Sequence, residues 1–328
     1  PSAAGSVGFK GQGSPVCSPS RGAMLTGCYP PRIGFAEFDG RRVLFPGQSL
    51  GLNPSEKTVA SLLKDVGYAT KIVGKWHCGD QNEFLPTKHG FDSYFGIPYS
   101  NDMGIQFAED TLPPLPLVKD EQVVSLQPDQ TNITDSYVCE AIDFISSNQD
   151  KPFFLYFAHM YVHLPIYVKE EFLQSSNNGA YGGGVASIDS ATGKIFKELE
   201  RLGIDNKTIV IFTSDNGSRV KGESINNKSG SSGFGSNQPL RGAKGSTWEG
   251  GLRVPCIVRW PEHISEGITC NEIVTSMDLY PTLATLAEVE TPSDRHIDGI
   301  DLSSQILSGF KGGSNREDFY YYNGDNLE

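Results

Sequence analysis

The chain has 328 residues, 38% of them hydrophobic, which is enough for one large domain or two ordinary ones around a buried core. Its net charge of −12 argues against a nucleic-acid binder, so an anionic substrate would have to be held by a local cationic pocket. No apolar run approaches the roughly 20 residues needed to cross a bilayer, and residues 1–13 are small and polar, without the apolar core of a signal peptide.

Residues 16–27, VCSPSRGAMLTG, put a cysteine close before a proline and an arginine, an unusual run near the start of a chain. Residues 57–66 (KTVASLLKDV) have helical spacing, Gly67 breaks it, and residues 68–73 (YATKIV) predict a strand. Residues 153–158 (FFLYFA) form the continuous apolar run of a buried strand. A helix is predicted over 181–202, ending at Gly203, followed by buried strands over 208–213 (TIVIFT) and 256–260 (CIVRW). Residues 276–289 are helical, with a kink expected at Pro281. This alternation predicts an α/β fold with a mostly parallel sheet. Residues 84–130, rich in Pro, Gly and Asp, and 216–245, rich in Gly, Ser and Asn, read as long loops of functional or mobile character. Cys17, Cys28, Cys78, Cys139, Cys256 and Cys270 match neither a zinc pattern nor a dense disulfide scaffold, though two of them could pair.

Three of the strands run straight into titratable residues. YATKIV leads to Gly74-Lys75-Trp76-His77, FFLYFA to His159 and His163, and TIVIFT to Ser214-Asp215-Asn216-Gly217. Open α/β sheets bind ligands at the carboxyl ends of their strands, so these groups predict one site. Each has a plainer reading alone. Lys75 and His77 fit a surface lysine and a core histidine, and His163 fits a strand cap before Pro165. Asp215-Asn216-Gly217 fits an Asx turn, and Lys244, flanked by Gly242 and Gly245, fits a solvated loop lysine. Asp215 and Asn216 also carry hard oxygens suited to calcium or magnesium.

Cys17-Ser18-Pro19-Ser20-Arg21 followed by Leu25-Thr26-Gly27 resembles the signature of the type I, formylglycine-dependent sulfatases. The Lys75-Trp76-His77 and His89-Gly90-Phe91-Asp92 motifs, the 153–165 run, Ser214-Asp215-Asn216-Gly217 and the Lys244 loop follow in that family's order. A narrower likeness, to N-acetylgalactosamine-6-sulfatase and the arylsulfatase A group, rests on Ile72 to His77, Lys88 to Asp92, Pro292-Ser293-Asp294-Arg295 and Ile297-Asp298-Gly299. The resemblance implies an alkaline-phosphatase-like sandwich, a mostly parallel central sheet flanked by helices. It implies hydrolysis of sulfate monoesters of a sulfated sugar, a glycosaminoglycan or an aryl alcohol, after a formylglycine-generating enzyme has oxidised Cys17.

In that scheme one hydroxyl of the hydrated aldehyde attacks sulfur, Lys75 and Lys244 bind the sulfate oxygens, and Arg21 orients the hydrate. His163 protonates the departing alcohol, and His77 takes the proton whose loss expels sulfate. Asp215, Asn216 and the modified Cys17 hold one divalent cation, Ca2+. His159 is expected only to make a strand-end hydrogen bond.

The chain departs from the family pattern at both ends. The family's opening strand ends in paired aspartates, whereas residues 1–16 contain no Asp or Glu. Asp215 and Asn216 alone supply little of the roughly 6–8 oxygens calcium takes. Residues 320–325 (YYYNGD) resemble the start of a smaller antiparallel C-terminal subdomain. The expected organisation is therefore a catalytic domain over 1–315 lacking its first strand, then the beginning of a truncated subdomain over 316–328. Two other functions stay open at this point: a phosphate or phosphonate monoester hydrolase of the same superfamily, and an inactive sulfated-glycan-binding fragment. A homodimer is a further expected partnership. Asn132-Ile133-Thr134, Asn206-Lys207-Thr208 and Asn227-Lys228-Ser229 match glycosylation sequons. The expected location is lysosomal or secreted in an animal, and periplasmic or extracellular in a bacterium.

Overall fold

The computed structural model describes residues 6–220, 235–308 and 316–328, and residues 6–10 by their backbone alone. The Asn227 sequon, much of the 216–245 loop and the 315/316 domain boundary lie in or against residues outside this description.

Strand β1 (Ser6–Gln12) leads into helix α1 (Cys17–Thr26), which Gly27 closes in the left-handed conformation, φ 74°. Thr58 caps α2 (Val59–Asp65), its Oγ1 accepting the Ser61 N–H at 3.2 Å. Strand β2 (Ala69–Lys75) follows where YATKIV predicts it. The stretch expected to be a loop over 84–130 holds β3 (Ser93–Ile97), β4 (Pro116–Lys119) and β5 (Gln122–Leu126). These strands are short, and β5 carries its hydrophobic residues exposed, so no two-residue period marks them. Then come α3 (Ile133–Ser147), β6 (Phe153–Ala158), α4 (Glu170–Gln174), α5 (Gly179–Leu202) and β7 (Val210–Thr213). The chain continues through α6 (Glu249–Leu252), β8 (Arg253–Arg259), β9 (Ile268–Thr275), α7 (Leu279–Leu286) and α8 (Ser303–Ser308). Pro281 lies in the first turn of α7, where a missing N–H removes no helical bond, and it does not interrupt the helix.

Two sheets result. One runs β5-β4-β3-β2-β6, with β3, β2 and β6 parallel and the β4–β5 hairpin antiparallel. The other runs β7-β8-β1-β9, antiparallel except for β1 with β9. The α/β class holds, with parallel pairing confined to β3-β2-β6 and β1-β9. The sequence reads FFLYFA and TIVIFT as buried strands. Instead β6 and β7 each end a sheet among the described strands and are largely half-buried. An apolar run reports contact on the two faces and says nothing about lateral neighbours. Of CIVRW, residues 256–259 lie in β8, which ends before Trp260, and they alternate in burial, so the strand covers only one side.

Successive residues of β2 feed opposite faces of the larger sheet. Ile72 packs with Leu25 of α1, Leu62 of α2 and Tyr280 of α7, while Val73 packs with Phe95, Ile133 and Tyr137 under α3. The smaller sheet packs Val258 and Val274 against Leu302 and Ile306 at α8. At the chain's end β10 (Tyr322–Asn323) and β11 (Asn326–Leu327) form an antiparallel hairpin whose Tyr322 ring lies 5.4 Å from that of Tyr29. All six cysteines are unpaired.

The parallel strands converge closely where β2 ends. Gly74 has φ 118°, and a Cβ there would lie 2.0 Å from the Ala158 carbonyl oxygen on β6. Gly74→Ala is expected to cost on the order of 3 kcal/mol through strain and overpacking. Equilibrium denaturant unfolding checks this, and a loss within experimental error would contradict the geometry.

Candidate active site

Val16 is extended (φ −142°, ψ 163°), and Cys17 opens α1 directly after it. Pro19 fits the first turn because the opening amides of a helix have no intrahelical acceptor. The two serines of the motif, given no role from sequence, act as anchors. Ser18 Oγ accepts the Leu44 N–H at 3.2 Å, and Ser20 Oγ donates to the Asp215 carbonyl at 2.5 Å. The second bond ties α1 to the turn after β7. Gly13 permits the same approach, since a Cβ there would meet the Asp215 oxygen at 2.4 Å.

Cys17 is 2% exposed, and its Sγ lies between two predicted site residues. Lys244 Nζ donates to Sγ at 3.1 Å, and Sγ lies 3.5 Å from Asn216 Oδ1. The Lys244 loop is pinned on both sides: Lys244 N–H donates to the Ser218 carbonyl and Gly245 N–H to the Pro15 carbonyl. Lys75, at the end of β2, is buried, and its Nζ donates to Ser100 Oγ at 3.1 Å. Burial lowers the Lys75 pKa, with Cys17 and Asp215 opposing that shift.

Arg21 ties three elements together. Its Nε and Nη2 reach Asp215 Oδ2, each at 3.1 Å, while Nη1 donates to the Lys75 carbonyl at 2.6 Å and to Tyr156 Oη on β6 at 3.3 Å. These bonds hold the guanidinium against Asp215 and the strand ends, so its geometry is that of a brace. Burial alone would raise the Asp215 pKa, but Arg21, Lys75 and Lys244 overcome it and hold the carboxyl far below the usual range.

The chain turns sharply at His77, whose φ is +61°, a conformation disfavoured for any residue with a Cβ. The turn sends its ring to the Leu44 carbonyl, 3.0 Å from Nε2, and leaves the buried Nδ1 without a partner. Nε2 must donate to a carbonyl, so Nδ1 carries a free lone pair in the neutral ring. Burial, then Lys75, depress the His77 pKa well below that of a free imidazole. His163 Nδ1 donates to the Leu164 carbonyl at 2.7 Å. Burial, then Lys244 and Lys75, depress its pKa in the same direction. His159 is held by Thr134 Oγ1 at 3.0 Å and by the Tyr161 N–H at 3.0 Å, which leaves both ring nitrogens occupied away from the site.

The structure therefore brings Cys17, Arg21, Lys75, His77, His163, Asp215, Asn216 and Lys244 together. Sequence reasoning missed Ser100, which lies between Lys75 Nζ and the His163 ring, 3.4 Å from the ring nitrogens. Ser100 follows β3, a third parallel strand, so recognising that strand would have exposed it by the same strand-end rule. Tyr156 was missed because its hydroxyl looked like part of an apolar run.

The donor set does not fit calcium. Asp215 offers one carboxylate, whose Oδ2 Arg21 already engages, Asn216 one amide oxygen and the converted Cys17 one hydrate oxygen, against about 6–8 oxygens for that ion. Among the described residues no group of three or more His, Cys, Asp or Glu side chains could hold a metal ion. The site instead gathers three fixed cations, Arg21, Lys75 and Lys244, around Asp215, a local positive excess in an acidic chain.

Comparison with known proteins bears on this constellation. Residues 9–289 match the Sulfatase family model. N-acetylgalactosamine-6-sulfatase of Rattus norvegicus is 40% identical over 322 residues, covering 94% of this chain and 59% of that protein. Arylsulfatase A of Homo sapiens is 37% identical over 340 residues, covering 98% and 64% respectively. The PsFucS1 sulfatase of Pseudoalteromonas sp. has a similar crystal structure, with a TM-score of 0.87 at 29% identity over 99% of this chain and 68% of that one. The chain thus spans about three-fifths of the length of the curated relatives it matches.

Proposed function

Because this chain belongs to the sulfatase family, we propose that it acts in the hydrolysis of sulfate monoesters, with a sulfated sugar or glycosaminoglycan as the substrate class. The observation that carries the reading is the contact of Lys244 with Cys17 beside buried Lys75 in an otherwise acidic protein. Cys17 oxidised to formylglycine supplies a hydrated aldehyde, an oxygen nucleophile that can be regenerated. Lys75 and Lys244 bind the anionic sulfate oxygens and stabilise charge that builds there as the ester bond breaks.

His163, with Nδ1 committed to Leu164, presents Nε2 to the leaving alcohol oxygen and gives it a proton. In the free site the two lysines oppose that proton. An anionic ester seated between them offsets their charge and draws the proton onto His163, so the acid is charged when substrate is present. His77, neutral and with its Nδ1 lone pair free, is the base that accepts the proton released when sulfate is expelled. Arg21 keeps Asp215 ionised and fixes the end of β2 relative to the turn after β7. The described donors are too few to give calcium a part in these steps.

The same reading supplies the partners: a formylglycine-generating enzyme during maturation, then a sulfated carbohydrate. Among the described residues no helix is long and apolar enough to cross a membrane. The proposed location is lysosomal or secreted in an animal, and periplasmic or extracellular in a bacterium. The test is turnover of 4-nitrophenyl sulfate against 4-nitrophenyl phosphate by aldehyde-bearing protein. Preference for sulfate is expected. Preference for phosphate would move the assignment to a phosphomonoester hydrolase, and glycan binding with no turnover of either would make the chain a binding module.

A further inference from the structure

The groups facing His163 are unequal in sign. Lys75 and His77 approach from the end of β2 and Lys244 from its loop, and all three work against a proton on the ring. Ser100 and the Leu164 carbonyl are neutral. Among the described residues the carboxylate paired with the ring is Asp102, in the segment after β3, whose Oδ1 lies 3.9 Å from His163 Nδ1. That Oδ1 is buried and makes no hydrogen bond. The rest of the carboxylate is part-exposed, so solvent supports some of its charge, and among the described residues the His163 ring is the ion-pair partner within 4 Å of it, able to compensate Oδ1 when protonated.

We propose that Asp102 is a positioning residue for His163, stabilising the protonated ring from the Nδ1 side so that Nε2 can act as the acid toward the leaving alcohol. The proposal rests on the sulfate ester reading and deepens it. Asp102 is too far from Nδ1 for a hydrogen bond, and Nδ1 is already committed to Leu164, so its effect is through charge. A carboxylate facing one nitrogen of an imidazolium favours the charged ring without competing for the proton on the other nitrogen. It also requires the substrate alcohol to sit on the Nε2 side, away from Asp102.

The test is Asp102→Asn, which keeps shape and removes charge, with Asp102→Glu as the charge-retaining control. The first readout is the NMR titration of the His163 ring, which does not depend on turnover. Its pKa is expected to fall by about one unit in Asp102→Asn and to return toward the parent value in Asp102→Glu. The second readout is the pH profile of kcat/KM on two esters. A sugar sulfate, whose alcohol is a poor leaving group, should lose about tenfold with its alkaline limb moved to lower pH. 4-nitrophenyl sulfate, whose phenolate leaves without a proton, should change little. An unchanged His163 titration, or equal losses on both esters, would overturn the proposal. Absence of sulfate ester turnover in the parent protein would instead refute the functional reading, and the titration would still decide whether Asp102 governs the proton.

Discussion

Replacing Cys17 with alanine is expected to lower kcat by on the order of a millionfold, to background. The side chain at this position is the only group in contact with both Lys244 Nζ and Asn216 Oδ1, and no neighbouring hydroxyl shares that spot among the described residues. The cations around it would still bind a sulfate ester, so substrate affinity should survive while turnover does not. Stability should hardly move. Alanine suits the first turn of a helix, and the deletion removes a single buried sulfur, costing about 1 kcal/mol. The measurement is single-turnover hydrolysis of an aryl sulfate alongside thermal unfolding. Residual activity near one per cent of the parent, in protein that melts normally, would show that another group attacks sulfur.

Arg21→Ala is expected to damage the fold as well as the chemistry. Removing the guanidinium strands the Asp215 carboxylate among buried groups and frees the Lys75 carbonyl. Breaking a buried ion pair costs about 3–5 kcal/mol, and the Asp215 side chain, 22% exposed, places this pair near 3. The sign of the pH dependence follows from the same pair. The folded carboxyl is depressed far below its unfolded value of about 3.9. Its stabilising contribution is therefore complete at neutral pH and is lost as pH falls below about 4 towards the folded value. Arg21→Ala should lose stability at pH 7 and show a flatter acid limb than the parent. Denaturant midpoints at pH 7 and pH 3 measure both effects. An equal loss at the two pH values would mean that Arg21 acts through packing and not through charge.

The residues of the site were far more legible than the sheets that carry them. Cys17, Lys75, His77, His163 and Asp215 each follow a strong local signal, a motif or the polar end of an apolar strand, and such signals survive without tertiary information. The hairpin of β4 and β5 and the short β3 carry no such pattern, and with β3 went Ser100. The sideways order of strands was illegible for a different reason. Backbone hydrogen bonds leave no trace in side-chain composition, so FFLYFA could not announce that it would stand last in the sheet among the described strands. The bracing role of Arg21 was equally hidden, because its partners lie far away in sequence, on Asp215, Lys75 and Tyr156.

The burial of Cys17 has a consequence for how the protein must be made. Its thiol is 2% exposed, in the first turn of a helix whose serines are already bonded to Leu44 and Asp215. An oxidising enzyme could not grip that segment once those bonds exist. On the proposed reading, oxidation of Cys17 and collapse compete for each nascent chain, and the fraction of competent molecules is set by their relative rates. Slowing synthesis or supplying more of the modifying enzyme would raise the specific activity of a preparation. Incubating the finished protein with that enzyme would not.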